Sequence, residues 1–191
     1  MKNSILLLVI LWSTALSFGQ NDSKQKTVNI LPQSQLMISG DTNISDFRCD
    51  FDAEMLPSNC AVTYSKSGNG YTFRNASLVL DNLGFDCGNR QINKDFHALL
   101  QTEKYPSIGL ELKRISMNAS NVAMAQVVIH IAGEKNEYEV PVTVLTNPAT
   151  CFEGKLKLDI NDFGLKPPKK AFGLIKVRED IEISFNLTVE K

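Results

Sequence analysis

The chain has 191 residues, of which 43% are apolar and 21% charged, and its formal net charge is −1. That length suits one domain with a sizeable core, and the composition is that of an ordinary globular protein. With 20 Lys and Arg against 21 Asp and Glu, the balance argues against a nucleic-acid binder, which carries a strongly basic face.

The first nineteen residues differ from the rest. Lys2 gives a short positive start, Ile5 to Leu11 is an unbroken apolar run, and Ser17-Phe18-Gly19 places small residues before a cut at Gln20. This reads as a secretory signal peptide over 1–19, ahead of a single domain over 20–191. The apolar run is too short to span a bilayer, and no later stretch is apolar enough to do so. No cysteine stands at the cleavage point, so no lipid anchor is expected there.

Export changes how the four cysteines read. An even count in an oxidising compartment suggests two disulfides among Cys49, Cys60, Cys87 and Cys151, with three pairings open. The favoured one joins Cys49 to Cys60 across the turn-like stretch Glu54-Met55-Leu56-Pro57-Ser58-Asn59, which leaves Cys87 for Cys151. Four free buried thiols are the alternative. No pair has the Cys-x-x-Cys spacing of a zinc site, so no metal or cofactor is expected.

Beyond the leader, period-two alternation dominates. Thr42–Asp52 reads as a strand. Ala61–Lys66 and Tyr71–Asp81 form a hairpin about the turn Ser67-Gly68-Asn69-Gly70. One helix follows, capped by Asn93, with Asp95 in its first turn and Phe96, Leu99 and Leu100 as its apolar stripe. It ends near Thr102, before Tyr105-Pro106. Ser107–Ser116 is the next strand. In Val122–Ile131 both faces are apolar, so it is either covered on both sides or lines a cavity. Residues 132–136 turn the chain into a strand alternating through Tyr138, Val140, Val142 and Val144, whose Pro141 marks an edge or a bulge. Phe152 to Ile160 and Ile181 to Val189 complete the set. Eight to ten short strands fit a closed barrel or a sandwich, and an eight-stranded barrel is wide enough for one small ligand.

Catalytic motifs are scarce. Asp162-Phe163-Gly164 spells a kinase tripeptide, but the chain has no nucleotide loop to go with it. His97 and His130, the only histidines, have no close-spaced second ligand, and surface or structural roles fit them better. No nucleophile and base stand together, so a non-enzymatic protein is expected. Asn-x-Ser/Thr triplets at Asn43, Asn75, Asn118 and Asn186 are glycan acceptors only in a eukaryotic setting.

Three segments carry a family likeness: Phe85-Asp86-Cys87-Gly88-Asn89, then Asn93-Lys94-Asp95-Phe96-His97-Ala98-Leu99-Leu100, then Lys104-Tyr105-Pro106-Ser107-Ile108. They resemble the YceI-like family, with its Asp-Thr-Gly-like turn, its Arg-Asp-x-His-Leu helix start and its Tyr-Pro-x-Ile strand start. Asp162-Phe163-Gly164, Ala171-Phe172-Gly173 and Val177-Arg178-Glu179-Asp180 continue the likeness, which covers about Asp41 to the C terminus. There are departures. Thr42-Asn43-Ile44-Ser45-Asp46-Phe47 stands where the family often has His-Ser, the Gly-x-Phe…Phe-x-Gly segment is not recognisable between Cys60 and Arg74, and the stretch from Asp95 to Tyr105 is short. The four cysteines are not a general family feature.

The resemblance implies an all-β fold: an extended, antiparallel, lipocalin-like β-barrel of about eight strands with one short helix. It also implies a bacterial protein of the periplasm or the medium that holds a long amphiphile, an isoprenoid or fatty-acid derivative, in its bore. The cavity candidates are Phe85, Phe96, His97, Leu100, Tyr105, Val122, Met124, Phe163 and Phe172, with Lys94 and His97 able to meet a head group. Each aromatic also fits plain core packing. The alternative is a structural or interaction module whose barrel is filled by residues such as Tyr138, Phe152 and Phe185. Neither a nucleic acid nor a membrane span is expected as partner. The oligomeric state stays open, a homodimer included.

Overall fold

The computed structural model describes residues 23–117, 122–146, 148–167, 169–170 and 175–190. The signal-peptide segment 1–19 and Phe172 lie outside the described residues. The elements are β1 (Ser23–Ile30), β2 (Gln35–Thr42), β3 (Asp46–Phe51), β4 (Asn59–Ser67), β5 (Gly70–Asp81), β6 (Phe85–Asp86), α1 (Arg90–Leu99), β7 (Ser107–Met117), β8 (Val122–Ile131), β9 (Glu134–Leu145), β10 (Thr150–Asp159), β11 (Lys169–Lys170) and β12 (Ile175–Glu190).

Eight strands close a ring in the order β1-β4-β5-β7-β8-β9-β10-β12, with β12 returning to β1. All the pairings are antiparallel, and the closing contact is Asn29 against Glu190 and Ile30 against Val189. β2 lies along the same edge of β12, over Val177 to Asn186, and carries β3 and β6 beyond it. β1 and β2 therefore extend one wall end to end, interrupted at residues 31–34. Closure leaves few free sheet edges.

Side-chain parity follows the ring without a break. Ala125 is 5% exposed and pairs with Ile115 on β7 and with Val140 on β9. Ile115 pairs with Tyr71, and Tyr64 with Phe73. Two bulges, between Thr72 and Ala76 in β5 and between Leu112 and Arg114 in β7, reset the alternation so that both halves of each strand keep their apolar side inward.

Three expectations from the sequence need correction. Thr42–Asp52 is not one strand: Thr42 ends β2, and its Oγ1 accepts the amides of Ile44 and Ser45, making a turn before β3. The helix starts a turn earlier than Asn93. Gly88 takes a left-handed φ of 69°, and Asn89 is the cap, its side chain accepting from the amides of Gln91 and Ile92. Asn93 instead accepts from Cys87 N at 2.7 Å and donates to Asp86 at 2.9 Å.

The third correction concerns the cysteines. The disulfide joins Cys49 to Cys87, while Cys60 and Cys151 are free thiols. Phe51 pairs with Phe85 and Asp50 with Asp86, so Cys49 and Cys87 are the next facing positions on β3 and β6. Residues 52–58 do not form a hairpin, because β4 pairs with β1 and β5 and leaves β3 behind. Cys151 is on β10, with β12 and β1 between it and β4, too far for a bond to Cys60. Pro141 is not on an edge strand: β9 is paired on both sides in the ring, and the Pro141 side chain is on its outer face. It faces Met124 on β8, and the β9–β10 pairing stops next to it at Val142, where a residue without an N–H costs least.

Candidate functional site: the bore of the ring

The two ends of the ring are built differently. One end is plugged. The helix α1 lies there, directing Phe96 and Leu100 inward; Phe51 meets Phe85 edge to face at 4.9 Å between centroids, and Phe96 packs tilted against Phe85 at 5.3 Å. The Cys49–Cys87 bridge ties this layer to β3. The missing β9–β10 pairing is filled by a 3₁₀ turn, Ile160–Phe163, capped by Asp159 and ended by Gly164 at φ 65°. Asn136 Nδ2 donates to Asp162 O at 2.7 Å and Tyr138 OH to the Asp162 carboxylate at 3.1 Å, which clamps the turn onto β9. Burial and the Asp162 carboxylate together push the Tyr138 phenol up to about 12.

At the other end, Ser23, Ser67, Gly70, Met117, Val122, Leu145 and Thr150 begin or end their strands, and no described helix follows any of them there. Toward that end the inward side chains of Val28, Val62, Ile115, Val144, Phe152 and Leu187 form an apolar, only half-buried wall. Between the two ends the Phe185 ring lies over Gly154, where a Cβ would come within 2.5 Å of it. Cys60 pairs with Val28 and so faces the bore, and burial raises its thiol pKa. Cys151 faces outward, its thiol donating to Asn186 Oδ1 at 2.9 Å.

Among the residues singled out from sequence, Phe85, Phe96, Leu100 and Phe163 come together in the plug, each under 9% exposed. His97 is beside them but serves the fold: its Nε2–H donates to Asn82 O at 3.2 Å. Asn82, 1% exposed, itself donates to Thr102 Oγ1 and Tyr105 O. Tyr105 packs over the β8–β9 turn at Gly133, with Lys104 Nζ 4.8 Å from its ring centroid. Lys94 is exposed on α1. Val122 and Met124 are on the outer face of β8, opposite the exposed Thr143 and Pro141, whereas Ala123 and Ala125 take the inner one. The second apolar face of that strand thus turns away from the bore. The part of the open-end wall contributed by β1 went unread in sequence, although Val28 and Ile30 already alternate there.

A depression of about 860 Å³ lies on the outside, across β9, β10, β12, β2 and β3. Its charges are matched locally, Arg48 to Asp50 at 2.6 Å and Lys155 to Glu182 at 2.8 Å. Across the barrel, His130 Nε2 is 3.1 Å from Glu111 Oε1, an ion-pair distance at an angle that makes no hydrogen bond. Among the described residues no group of three or more His, Cys, Asp or Glu could hold a metal ion.

The family model for the YceI-like domain matches residues 22–189. The chain belongs to the YceI-like domain family. Solved structures agree on the fold of this YceI-like protein. BcnA of Burkholderia cenocepacia superposes with a TM-score of 0.64 at 17% identity, over 83% of this chain and 96% of that one. A polyisoprenoid binding domain from Saccharophagus degradans, implicated in plant cell wall breakdown, gives 0.59 at 14% identity, over 87% and 99%. The YCEI protein of Campylobacter jejuni gives 0.52 at 14% identity, over 62% and 74%. Among curated proteins none matches this YceI-like chain. No described helix is long and apolar enough to cross a membrane.

Proposed function

We propose that this YceI-like protein is an exported, non-catalytic carrier that holds the hydrocarbon chain of a long amphiphile, an isoprenoid or fatty-acid derivative, in the open half of its barrel. The observation that carries this reading is the half-buried apolar wall at the open end, beside a plug that is fully packed. Each methylene moved from water onto such a wall contributes about 0.8 kcal/mol. The polyisoprenoid binding described for the Saccharophagus degradans domain supports the ligand class, and the Cys49–Cys87 disulfide supports an oxidising compartment.

A second reading, an interaction module with a filled barrel, draws on Tyr138, Phe152 and Phe185, which pack against the core cluster. The two separate by experiment. Native mass spectrometry of protein purified without detergent should show a bound amphiphile that denaturation releases. Adding geranylgeraniol should then slow alkylation of Cys60, which faces the bore, and leave Cys151 on the outer face unchanged. An apo mass together with a Cys60 rate indifferent to amphiphiles would remove the carrier and leave the filled module.

A further inference from the structure

Among the described residues, the inward charges at the mouth of the bore share one sign. On β1 the inward positions are Lys24, Lys26, Val28 and Ile30, and Lys24 pairs with Tyr64 and Lys26 with Val62. Lys66 shares the inward face of β4 with Tyr64, and its Nζ is 5.9 Å from the centroid of Tyr71, its partner on β5. Tyr64 in turn touches Tyr71 and Phe73, at 5.8 and 6.2 Å between centroids. Three lysines thus stand over an aromatic rim. Neighbours two apart on one strand are about 7 Å apart, and diagonal cross-strand neighbours about 7–8 Å. Lys24 lies between the other two, two positions from Lys26 on β1 and diagonal to Lys66 on β4, so the four-carbon stems of Lys26 and Lys66 can lean toward it from either side.

No described carboxylate answers them. Around the ring, Glu111, Glu139, Glu153, Glu182 and Glu190 occupy outward positions, as their pairings with Val128, Gln126, Asn186, Lys157 and Asn29 require. Among the described residues, the charged side chains on the inner face of the mouth are thus bases and not acids. Like charges gathered on one rim repel one another, and an anion between them offsets that repulsion.

We propose that the mouth binds the head of an anionic amphiphile, phosphate or carboxylate, by converging Lys24, Lys26 and Lys66 while the chain enters the bore. This rests on the carrier reading and narrows it to ligands with a negative head. The lysine ammonium is a compact donor suited to such a group, and Tyr64 and Tyr71 shield the contact from water on one side.

The test compares matched pairs on the full chain: geranylgeranyl phosphate against geranylgeraniol, and oleate against oleyl alcohol, each by equilibrium titration. The anionic member should bind roughly tenfold more tightly at low salt, the worth of one good charge-assisted hydrogen bond. The preference should shrink several-fold at high salt as screening sets in. The triple variant K24Q/K26Q/K66Q should lose the preference while keeping its affinity for the alcohols, which also reports that it folds. K155Q/K157Q, on the outer face, should keep it. A preference in the phosphate pair alone would identify a phosphate head, and one in the oleate pair a carboxylate; either supports the site. Equal affinity within both pairs for the wild-type chain would overturn the anion site and leave the carrier standing. A preference that survives the triple variant or high salt would also overturn it. Failure of all four compounds to bind would remove the carrier and this site with it.

Discussion

The two ends of the barrel use similar residue types to different ends. At the plug, aromatic and aliphatic side chains from β3, β6, α1 and the turn at Phe163 meet one another and exclude solvent. At the mouth, inward apolar residues such as Val28, Val62 and Leu187 stay half-buried and outside that cluster. Hydrophobicity alone does not decide how deeply an inward side chain is buried; the packing partners across from it do. The plug spends its apolar surface on stability, whereas the mouth leaves its own surface available.

The sharpest way to break that comparison is to truncate one residue at each end. Phe163→Ala, at a site 2% exposed, should cost about 3–5 kcal/mol in urea unfolding, and Val62→Ala at the mouth under about 1 kcal/mol. Similar losses at both ends would mean that the mouth is packed as tightly as the plug. Next in size, Cys49→Ser with Cys87→Ser opens a link between residues 38 apart in sequence. It should cost about 2–4 kcal/mol, read by thermal unfolding, without weakening amphiphile binding at the far end. Loss of binding would show that the plug holds the mouth in shape.

A smaller effect is expected at the helix cap. Asn89→Ala should remove about 1 kcal/mol, because two amides lose their acceptor. The least effect concerns Tyr138. Its phenol pKa is raised from the ordinary 10 to about 12, so the folded state favours the protonated phenol. That contribution is complete below pH 10 and is lost as pH rises through 12. Stability should therefore decline across pH 10–12, and Tyr138→Phe, less stable at neutral pH, should decline less steeply there. Matching slopes for the two proteins in chemical unfolding would place the alkaline loss elsewhere.

Much of this was legible in order along the chain. Alternation at Ile181–Val189 and Val140–Val144 marks strands, since the two-residue period of a strand is local. The motif around Asp95-Phe96-His97 locates the helix to within a turn. The exact start was not legible, because Asn89 and Asn93 are equally good caps until Asn93 is needed at Cys87 and Asp86. Nor was the face of Val122 and Met124. With both faces apolar, only the neighbours on β7 and β9 decide which is inside. β1 and β2 were missed because short strands rich in polar residues carry a weak signal until paired.

The sequence by itself determined that the chain is a β-protein of the YceI-like pattern with one helix after Cys87, since periodicity, caps and turns are short-range properties. Only the tertiary structure decided which cysteines meet, which end of the ring is filled, and that Lys24, Lys26 and Lys66 share one rim. Those are relations between strands distant in sequence, fixed by register, and register is set when the whole ring closes.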